Sequence, residues 1–423
     1  MPKAKKMKTP RASEAVVYRD AFTGKAAEHS RTPRRFALSL GCRNSDRSWS
    51  AAVLYRFHLM PDREVFLILL LLSSFPVCGL AAESAAPGRA KTFDVREFGA
   101  KGDGKALDTS AIQKAIDQCG ESGGAIVRFA PGTYLSKPIF LRSRTTLQLE
   151  AGATLMATDE PDDFSRTEQQ DLPTAAGKFL AFINGTDLRD IAIVGKGEID
   201  GAGGRWWLPA EEARRKTPGY TLPRPRMILL VRCKNVELRG VTLANSPSFH
   251  LVPNDCEDVL IDGVTIKAPA GSPNTDAIDP SVSRRVRITR CVIDVGDDNV
   301  AIKSGKKMQG RDFGCEDITI TDCVFRHGHG MSIGSETVGG VRNVTVRNCT
   351  FENTENGIRI KSPRGRGGTV ENVVCENITM TNVDPAITIT CYYPKIPVED
   401  AAQPMTPETP IFRNLRIKNL TAT

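Results

Sequence analysis

Short runs in which every second residue is apolar recur through the second half of the chain. Seven of them fit one template: apolar, any residue, apolar, two of any kind, a small apolar residue or Cys, any residue, apolar. The template starts at Val236, Val259, Val286, Ile318, Val344, Val373 and Leu415, with 23, 27, 32, 26, 29 and 42 positions between successive starts. Alternation with period two predicts β-strands. Because one such unit cannot bury its own apolar face, neighbouring units must stack.

The length of the unit decides between two stacked all-β architectures. A propeller blade takes about 40 residues, and most of these units are shorter. Units of fixed core and variable loops, with almost no helical pattern, favour a parallel β-helix. We therefore predict an all-β solenoid of this type.

One amphipathic helix is predicted ahead of the solenoid. Its apolar positions have helical spacing and are Ala111, Ile112, Ala115, Ile116 and Cys119. Asp108 or Thr109 is the expected N-cap, and Gly120 is the expected stop. A helix in this place would cover the open end of the solenoid and protect its first edge.

The template also accounts for part of the cysteine content. Cys291, Cys323 and Cys349 occupy a position that Val, Ile or Leu fills in the other units. A buried free Cys behaves as a small hydrophobic residue. We therefore predict a ladder of free thiols at this position, and the lack of any CxxC pair argues against a zinc site.

The N-terminal part of the chain has a different character. Residues 1–59 contain 13 Lys and Arg against 4 Asp and Glu, a net charge of +9, whereas the whole chain of 423 residues carries +8. The basic charge therefore belongs to this leader and does not support nucleic-acid binding by the folded part. We interpret residues 1–59 as a disordered leader or as the result of a mis-assigned start codon.

Residues 60–81, "MPDREVFLILLLLSSFPVCGLA", have the polar start, apolar centre and small-residue cleavage site of a signal peptide. A lone membrane anchor is the alternative. The folded domain is thus expected to span residues 82–423. The protein is expected to be exported, either secreted or periplasmic, with no stable membrane span after processing.

Polar residues of a different kind line up along four consecutive units. They include the adjacent acids of "VGDDNVAIKSG" (295–305), and the full set is Asp276, Asp297, Asp298, His329, Arg359 and Lys361. Asp297 and His329 both lie at offset 11 from the first residue of their unit. Equal offsets predict that the two side chains stack about 4.8 Å apart.

Alternation directs Arg359 and Lys361 outward into one cleft, but it would direct Asp276 and Asp298 into the core. A buried, unpaired carboxylate costs several kcal/mol. We therefore place both acids on the turn before the strand. The result is a strip with acids toward one end and cations toward the other.

Three acids in one cleft supply what glycoside hydrolysis requires, a general acid and a base that activates water. Repulsion between adjacent carboxylates raises the pKa of one of them, which would keep a proton in place at working pH. His329 would tune or hydrogen-bond that acid. Arg359 and Lys361 would bind an anionic sugar.

Four short motifs carry a family resemblance. "NTD" (274–276), "GDD" (296–298), "GHG" (328–330) and "RIK" (359–361), in this order, resemble those of glycoside hydrolase family 28, the polygalacturonases. The resemblance implies a right-handed parallel β-helix. It also implies metal-independent, inverting hydrolysis of α-1,4-galacturonosyl bonds in pectin or polygalacturonate, with no cofactor.

Two further segments, "EFGAKGDG" (97–104) and "KGEIDGAGGRWW" (196–207), are similar to the same family, so the similarity runs from about Phe93 to the C-terminus. Asn299 stands where the family often has Cys. The chain ends at Thr423 inside a predicted coil, so we expect the C-terminal coil to be incomplete.

The resemblance assigns roles by motif position. Asp297 would be the general acid, while Asp276 and Asp298 would position and activate water. The implied catalytic set is Asp297, Asp276, Asp298 and His329. The implied substrate contacts are Arg359, Lys361 and an aromatic residue of "CYYPK", Tyr393 or Tyr392. The expected partner is a pectic polysaccharide or oligogalacturonide, and we expect a monomer.

Three alternatives remain open at this point. A rhamnogalacturonan hydrolase of the same family would have similar acids but usually lacks "GHG" and "RIK". A pectate lyase would share the fold but would need a Ca²⁺ site and a Lys or Arg base. A non-catalytic β-helix that binds carbohydrate would not require this set of charges. Endo and exo action are not distinguished, although Glu336 and the insertion at 305–317 lean toward exo action.

Overall fold

The computed structural model describes residues 91–166, 178–305, 314–395 and 402–423. The leader and signal peptide predicted for residues 1–59 and 60–81 lie outside these ranges, so both stay predictions. In the described part, every pair of named strands is parallel, and the strands form three faces that run the length of a solenoid. The predicted parallel β-helix is therefore what the chain forms.

The first face holds the start of each template unit. Its short strands are β1 (Thr92–Asp94), β3 (Ala125–Phe129), β6 (Thr145–Leu149), β9 (Arg189–Gly195), β12 (Lys234–Arg239), β15 (Glu257–Asp262), β17 (Arg284–Thr289) and β20 (Cys315–Thr321).

The second face follows after a corner in each coil. Its short strands are β2 (Asp103–Leu107), β4 (Gly132–Ser136), β7 (Ala153–Ala157), β10 (Glu198–Asp200), β13 (Thr242–Ala244), β16 (Thr265–Lys267), β18 (Val292–Asp294) and β21 (Val324–Phe325). Three long strands continue around the corner and serve both faces: β23 (Val341–Glu352), β25 (Thr369–Thr381) and β27 (Ile411–Ala422).

The third face is built from two runs of four strands. They are β5 (Ile139–Phe140), β8 (Ile183–Thr186), β11 (Ile228–Val231), β14 (Leu251–Asn254), β19 (Val300–Ile302), β22 (Met331–Ile333), β24 (Ile358–Lys361) and β26 (Ile387–Thr390). Ile278 joins the runs, since it bridges in parallel to Leu251 on one side and to Val300 on the other.

The predicted template units stack in register. Val236 pairs with Val259, and the same position continues coil by coil to Leu415. From Val236 to Val373 these first residues are at most 2% exposed. The repeat therefore forms a continuous apolar column inside the solenoid.

The corners of the template have a left-handed backbone, which explains their composition. The residue before each unit has positive φ, and so has the fifth residue of each unit, for example Asn372 (57°) and Asn377 (57°). Asn and Gly adopt this conformation at the lowest cost. The Asn side chains also bond along the axis, as Asn377 Nδ2 donates to Asn348 Oδ1 at 3.1 Å.

The cysteine ladder is present as predicted. Cys291, Cys323 and Cys349 are buried free thiols that follow one another in successive coils. Each Sγ donates to the carbonyl two residues earlier, at 3.3, 3.2 and 3.3 Å. Hydrogen-bonded thiols of this kind fill the apolar position without leaving a polar group unpaired.

The predicted capping helix is α1 (Thr109–Glu121), and its buried residues are Ala111, Ile112, Ala115, Ile116 and Cys119, as expected. Gly120 does not stop it, because the helix runs to Glu121. Asp108 is the N-cap residue, but its carboxylate accepts the backbone N–H groups of Lys101 and Gly102 at 2.6 and 3.0 Å. It therefore ties the helix start to the preceding loop.

A second helix, α2 (Gly204–Lys216), lies between β10 and β11 and was not predicted. Its sequence is mostly polar and contains Pro209, so the apolar spacing of a helix is weak. Buried Trp206 holds it, with ring centroids 6.0 Å from Phe164 and 5.5 Å from Phe179. No helix in the described part of the chain has the length and apolarity needed to cross a membrane.

Candidate active site

The candidate site lies on the third face between residues 276 and 361. Its inward positions repeat as Ile278, Val300, Met331 and Ile358, which pair in register and are buried. Because neighbouring side chains of a strand point to opposite sides, the positions between them face away from the core. Four coils thus place Asp279, Ala301, Ser332 and Arg359 in a column beside the apolar one.

Asp276 and Asp298 each precede an inward residue by two positions, Ile278 and Val300, and both lie outside the strands, as predicted. They are only 4% and 3% exposed. Each is paired with a cation from a later coil. The burial of these carboxylates is therefore compensated.

Three donors hold Asp298. Its Oδ2 accepts from Lys361 Nζ at 2.9 Å, and its Oδ1 accepts from Ser332 Oγ at 2.8 Å and from Arg359 Nη2. Ser332 Oγ also accepts from Arg359 Nε at 3.0 Å, and Lys361 Nζ lies 5.1 Å from the centroid of the Tyr393 ring. The cations predicted to be separate from the acids are therefore ion-paired with one of them.

His329 contacts Asp297, which is the contact predicted from their equal offsets. Its Nδ1 lies 2.9 Å from Asp297 Oδ1, and its Nε2 lies 3.1 Å from Glu355 Oε2. The strand register differs from the alignment given by equal offsets. Val300 pairs with Met331, and this pairing aligns His329 with Asp298 instead of Asp297. Ile293 pairs with Phe325 and Val300 pairs with Met331, so the earlier coil has one residue more between its paired positions, and this extra residue brings Asp297 to His329.

The glycines of "GHG" are required by close approach of the backbone. Gly328 has φ 120°, and a Cβ there would lie 2.5 Å from the Asp297 carbonyl oxygen. Gly330 has φ 76°, and a Cβ there would lie 2.0 Å from the Asn356 carbonyl oxygen. Any larger residue would push His329 away from its carboxylate partner.

The charge state of Asp297 differs from the expectation. Burial raises the pKa of Asp297, but the hydrogen bond and the charge of His329 outweigh burial and hold this pKa at about 2. Burial likewise lowers the pKa of His329, and its pairing with Asp297 leaves it raised overall. Repulsion between Asp297 and Asp298 thus does not keep a proton on Asp297, because cations neutralise both.

The raised carboxylate pKa values lie in a neighbouring group. Lys303 Nζ lies 3.0 Å from Asp276 Oδ2 and 2.5 Å from Asp279 Oδ2. Burial raises the pKa of Asp276 well above its usual value, against the lowering effect of Lys303. Burial also raises the pKa of Asp279 to about 6. Within the site, the carboxyl groups whose pKa is raised are therefore Asp276 and Asp279.

Oxygen and nitrogen atoms of Asp297, Asp298 and His329 lie within 4.8 Å of one another, close enough to ligate a metal ion. Arg359 and Lys361 already occupy the oxygens of Asp298, and His329 occupies an oxygen of Asp297. Bound cationic side chains compete with a metal for the same lone pairs. The cluster is therefore a set of ion pairs in which a proton can be shared between His329 and Asp297.

Residues 133–423 match the family model described as Glycosyl hydrolases family 28. The chain belongs to this family. It is 39% identical over 300 residues to an endo-polygalacturonase of Pectobacterium carotovorum subsp. carotovorum, covering 68% of this chain and 72% of that protein. It is 35% identical over 325 residues to a probable polygalacturonase of Vitis vinifera, covering 73% of this chain and 65% of that protein.

Among solved structures, the polygalacturonase from Erwinia carotovora ssp. carotovora resembles this family 28 chain with a TM-score of 0.64 at 32% identity. The alignment covers 75% of this chain and 91% of the solved chain. The predicted family and the predicted parallel β-helix are both confirmed. The chain spans slightly less than two thirds of the Vitis vinifera relative.

The structure of the family 28 domain adds residues that sequence reasoning missed. Lys303 and its ion-pair partner Asp279 could have been identified from the sequence by comparing strands. "VAIK" (300–303) pairs in register with "MSIG" and hence with "IRIK" (358–361). Aligning these strands places Lys303 two coils before Lys361.

Arg224 is a third missed residue, and it had no such signal. It is 8% exposed, reaches over from a loop, and donates to Asn274 Oδ1 and to the Pro273 carbonyl, both at 2.7 Å. Asn274 Nδ2 in turn lies 3.4 Å from Asp297 Oδ2. Arg224 therefore braces the "NTD" segment beneath Asp297.

Proposed function

We propose that this family 28 glycoside hydrolase cleaves galacturonosyl linkages of polygalacturonate by an inverting acid–base mechanism. The observation that carries the proposal is the adjacency of two clusters on one face, Asp297 with His329 and Asp298 with Arg359 and Lys361. The first can move a proton, and the second carries cationic groups suited to a uronate. The identity with polygalacturonases favours this substrate over rhamnogalacturonan and over a non-catalytic role.

Asp297 acts as the general acid in this proposal. In the free protein the proton of the Asp297–His329 pair rests on His329, because the pKa of Asp297 is about 2 and that of His329 is raised. Bound galacturonate excludes water, and this desolvation raises the pKa of a carboxylate and lowers that of an imidazolium. The proton then passes across the 2.9 Å contact to Asp297 and from there to the leaving oxygen.

Asp276 and Asp298 position and activate the attacking water. An inverting enzyme needs an ionised carboxylate for this step. Lys303, Arg359 and Lys361 place positive charge beside these buried acids, and Lys303 lowers the pKa of Asp276 against the larger effect of burial. When a substrate carboxylate arrives, Arg359 and Lys361 are shared between it and Asp298, so substrate binding and the state of the base are coupled.

Tyr393 is the proposed aromatic contact. It is 36% exposed and borders Lys361, so its ring can pack on a sugar held by that cation. Tyr392 instead has Arg364 5.8 Å from its ring centroid. We therefore favour Tyr393 over Tyr392 in this role.

The function is tested by incubating the purified protein with polygalacturonate and with rhamnogalacturonan. The proposal expects new reducing ends from polygalacturonate, saturated products and little release from rhamnogalacturonan. Unsaturated products would indicate a lyase, and no release from polygalacturonate would refute the proposal. Sizing the early products would separate endo from exo action, for which the slight preference for exo action drawn from Glu336 stays a prediction.

We also propose that the protein is exported, because residues 60–81 have the pattern of a signal peptide. Secretion is consistent with a polymeric substrate outside the cell. N-terminal sequencing of the exported protein should begin close to Ala82. An exported product that retains Met1 would contradict this proposal.

A further inference from the structure

We propose that Lys303 is a positioning residue for Asp276, holding this carboxylate in place and favouring its ionised form for the activation of water. The inference rests on the proposed function, since it concerns the same acid–base site. No motif used to recognise the family includes Lys303, and its neighbour Asp279 has no role in the mechanism above.

The geometry around Lys303 is that of a fixed ammonium group. Its Nζ contacts Asp276 at 3.0 Å and Asp279 at 2.5 Å, and it lies 4.0 Å from the centroid of the Phe249 ring. The side chain of Lys303 is 16% exposed, and those of the two acids are 5% and 1% exposed. A cation held by two carboxylates and an aromatic face has little freedom to move.

Lys303 is also the one side-chain donor that the described residues offer to either acid. It contacts Oδ2 of each, and the Oδ1 atoms of Asp276 and Asp279 are buried without a hydrogen-bond partner. Losing the ammonium would leave two buried carboxylates without a donor. Such groups take up a proton rather than stay charged.

Other charged groups face Asp276 from neighbouring coils. Arg224 and Arg226 come from two coils earlier, and Asp297 and Asp298 come from the following coil. Buried His250 also packs there, with Nδ1 3.1 Å from the Asp276 carbonyl oxygen, and burial lowers the pKa of His250 to about 4, so it is neutral. The charges of both arginines also act on Asp276, and among the hydrogen bonds of the described residues Lys303 provides the one to its carboxylate.

The two partners of Asp276 should therefore have opposite effects. Lys303 lowers the pKa of Asp276, whereas Asp279 raises it both by its own charge and by sharing the ammonium. Removing Lys303 should shift the acidic limb of the pH–rate profile to higher pH. Removing the charge of Asp279 should shift it to lower pH.

The experiment compares Lys303→Met, Lys303→Arg and Asp279→Asn, with kcat and KM on polygalacturonate measured across pH. For Lys303→Met we expect the acidic limb to move up in pH, kcat below the limb to fall about 10²-fold, and KM to change little. Lys303→Arg should recover most of the activity and the wild-type limb. Asp279→Asn should move the limb down, which a merely structural role for either residue would not produce.

Several outcomes would overturn the inference. They are an unshifted limb in Lys303→Met, a shift of both variants in the same direction, and a loss of activity that is uniform with pH. If Lys303→Met does not fold, Asp279→Asn decides alone, and an unshifted or upward limb in that variant refutes the inference. A wild type that releases no reducing ends would instead refute the proposed function itself.

Discussion

The first and third faces of the solenoid differ in how deeply their outward positions are buried. Both faces have an inward apolar column that recurs from coil to coil. On the first face the outward residues Arg287, Thr319 and Thr345 are exposed or half-buried, whereas Asp279, Ala301 and Ser332 on the third face are fully buried. The outward column of the third face changes from Asp279 to Ala301, Ser332 and Arg359 over four coils.

This difference separates stability from chemistry within one chain. The repeated interior fixes the spacing of the coils near the separation of hydrogen-bonded strands, about 4.8 Å. Residues far apart in sequence, such as Asp298 and Lys361, thereby come within hydrogen-bond distance. Since the interior supplies the burial, outward residues of the third face are free to serve catalysis.

The largest expected effect is a loss of turnover in a variant of the third face whose fold stays intact. Asp297→Asn should lower kcat by about 10²–10⁴-fold with little change in KM, because the amide keeps the shape but cannot donate the proton. The matched control is Asp294→Asn. Asp294 also pairs with a histidine, His327, at 2.9 Å, but both are more exposed and lie on the second face and its corner.

Steady-state kinetics on polygalacturonate decide this comparison. We expect Asp294→Asn to retain nearly wild-type kcat. Near-normal turnover in Asp297→Asn would contradict its role as the acid, and equal losses in both variants would indicate general damage to the fold.

A variant in the interior of the first face should lower the stability of the fold without changing catalysis. Ile320 belongs to an inward column of the first face and is 0% exposed. Ile320→Ala should lower the free energy of unfolding by about 2–5 kcal/mol through lost burial and a residual cavity. Its outward neighbour provides the control Thr319→Ala, which should cost far less.

Denaturant unfolding measures the effect, together with kcat at a temperature where both variants are folded. We expect normal kcat in Ile320→Ala at that temperature. A large loss of kcat in the folded variant would show that the two faces are not separable in this way.

Lys361→Ala should affect binding and turnover together. Lys361 holds Asp298 at 2.9 Å and is the proposed partner of the substrate carboxylate, so KM should rise and kcat should fall, each by about tenfold. The rise in KM should be smaller on methyl-esterified pectin, whose carboxyl groups are neutral. Lys267→Ala, which removes an exposed pair with Glu198 on the second face, is the control. An unchanged KM on the charged polymer would exclude the substrate contact.

The smallest effect concerns the pH dependence of stability. The pKa of Asp297 is depressed to about 2, so its contribution is present above about pH 4 and is lost as pH falls toward 2. The pKa of His329 is raised, so its contribution is full below about pH 6.5 and is lost as pH rises through the folded value. The pair therefore stabilises the fold most between these limits.

Thermal unfolding of His329→Gln and wild type tests this window. The difference in Tm should be roughly 2 °C between about pH 4 and 6.5 and should shrink on both sides. The exposed pair offers the control His327→Gln, for which solvent screening predicts a smaller difference. A difference in Tm that does not vary with pH would contradict the charged pair.

The interior of the solenoid could be predicted from sequence because it depends on a short period. Alternation and a fixed template fix the register of Val236 through Leu415, and Asn or Gly marks many of the corners. The Asp297–His329 contact was found by counting along the same repeat. The same counting gave a strand register that is wrong by one residue at β19, because the interior does not constrain the length of the turn before that strand.

The partners of the charged residues could not be predicted in the same way. Alternation shows that Arg359 and Lys361 leave the core, but it does not fix which carboxylate their long side chains reach. Adjacency in sequence suggested a raised pKa near Asp297, but the pKa of Asp297 is lowered, because sequence adjacency does not show that His329 pairs with it. Lys303 was overlooked since its significance comes from the register of three strands.

The most direct test of the proposed mechanism is the anomeric form of the product at the moment it is released. ¹H NMR of polygalacturonate during the first minutes of hydrolysis, before mutarotation, distinguishes the two anomers of the new reducing end. Inversion of an α-linkage predicts that the β-anomer is formed first and the α-anomer accumulates only later. Initial formation of the α-anomer would contradict an acid–base pair that activates water directly, and with it the roles assigned to Asp297, Asp276 and Asp298.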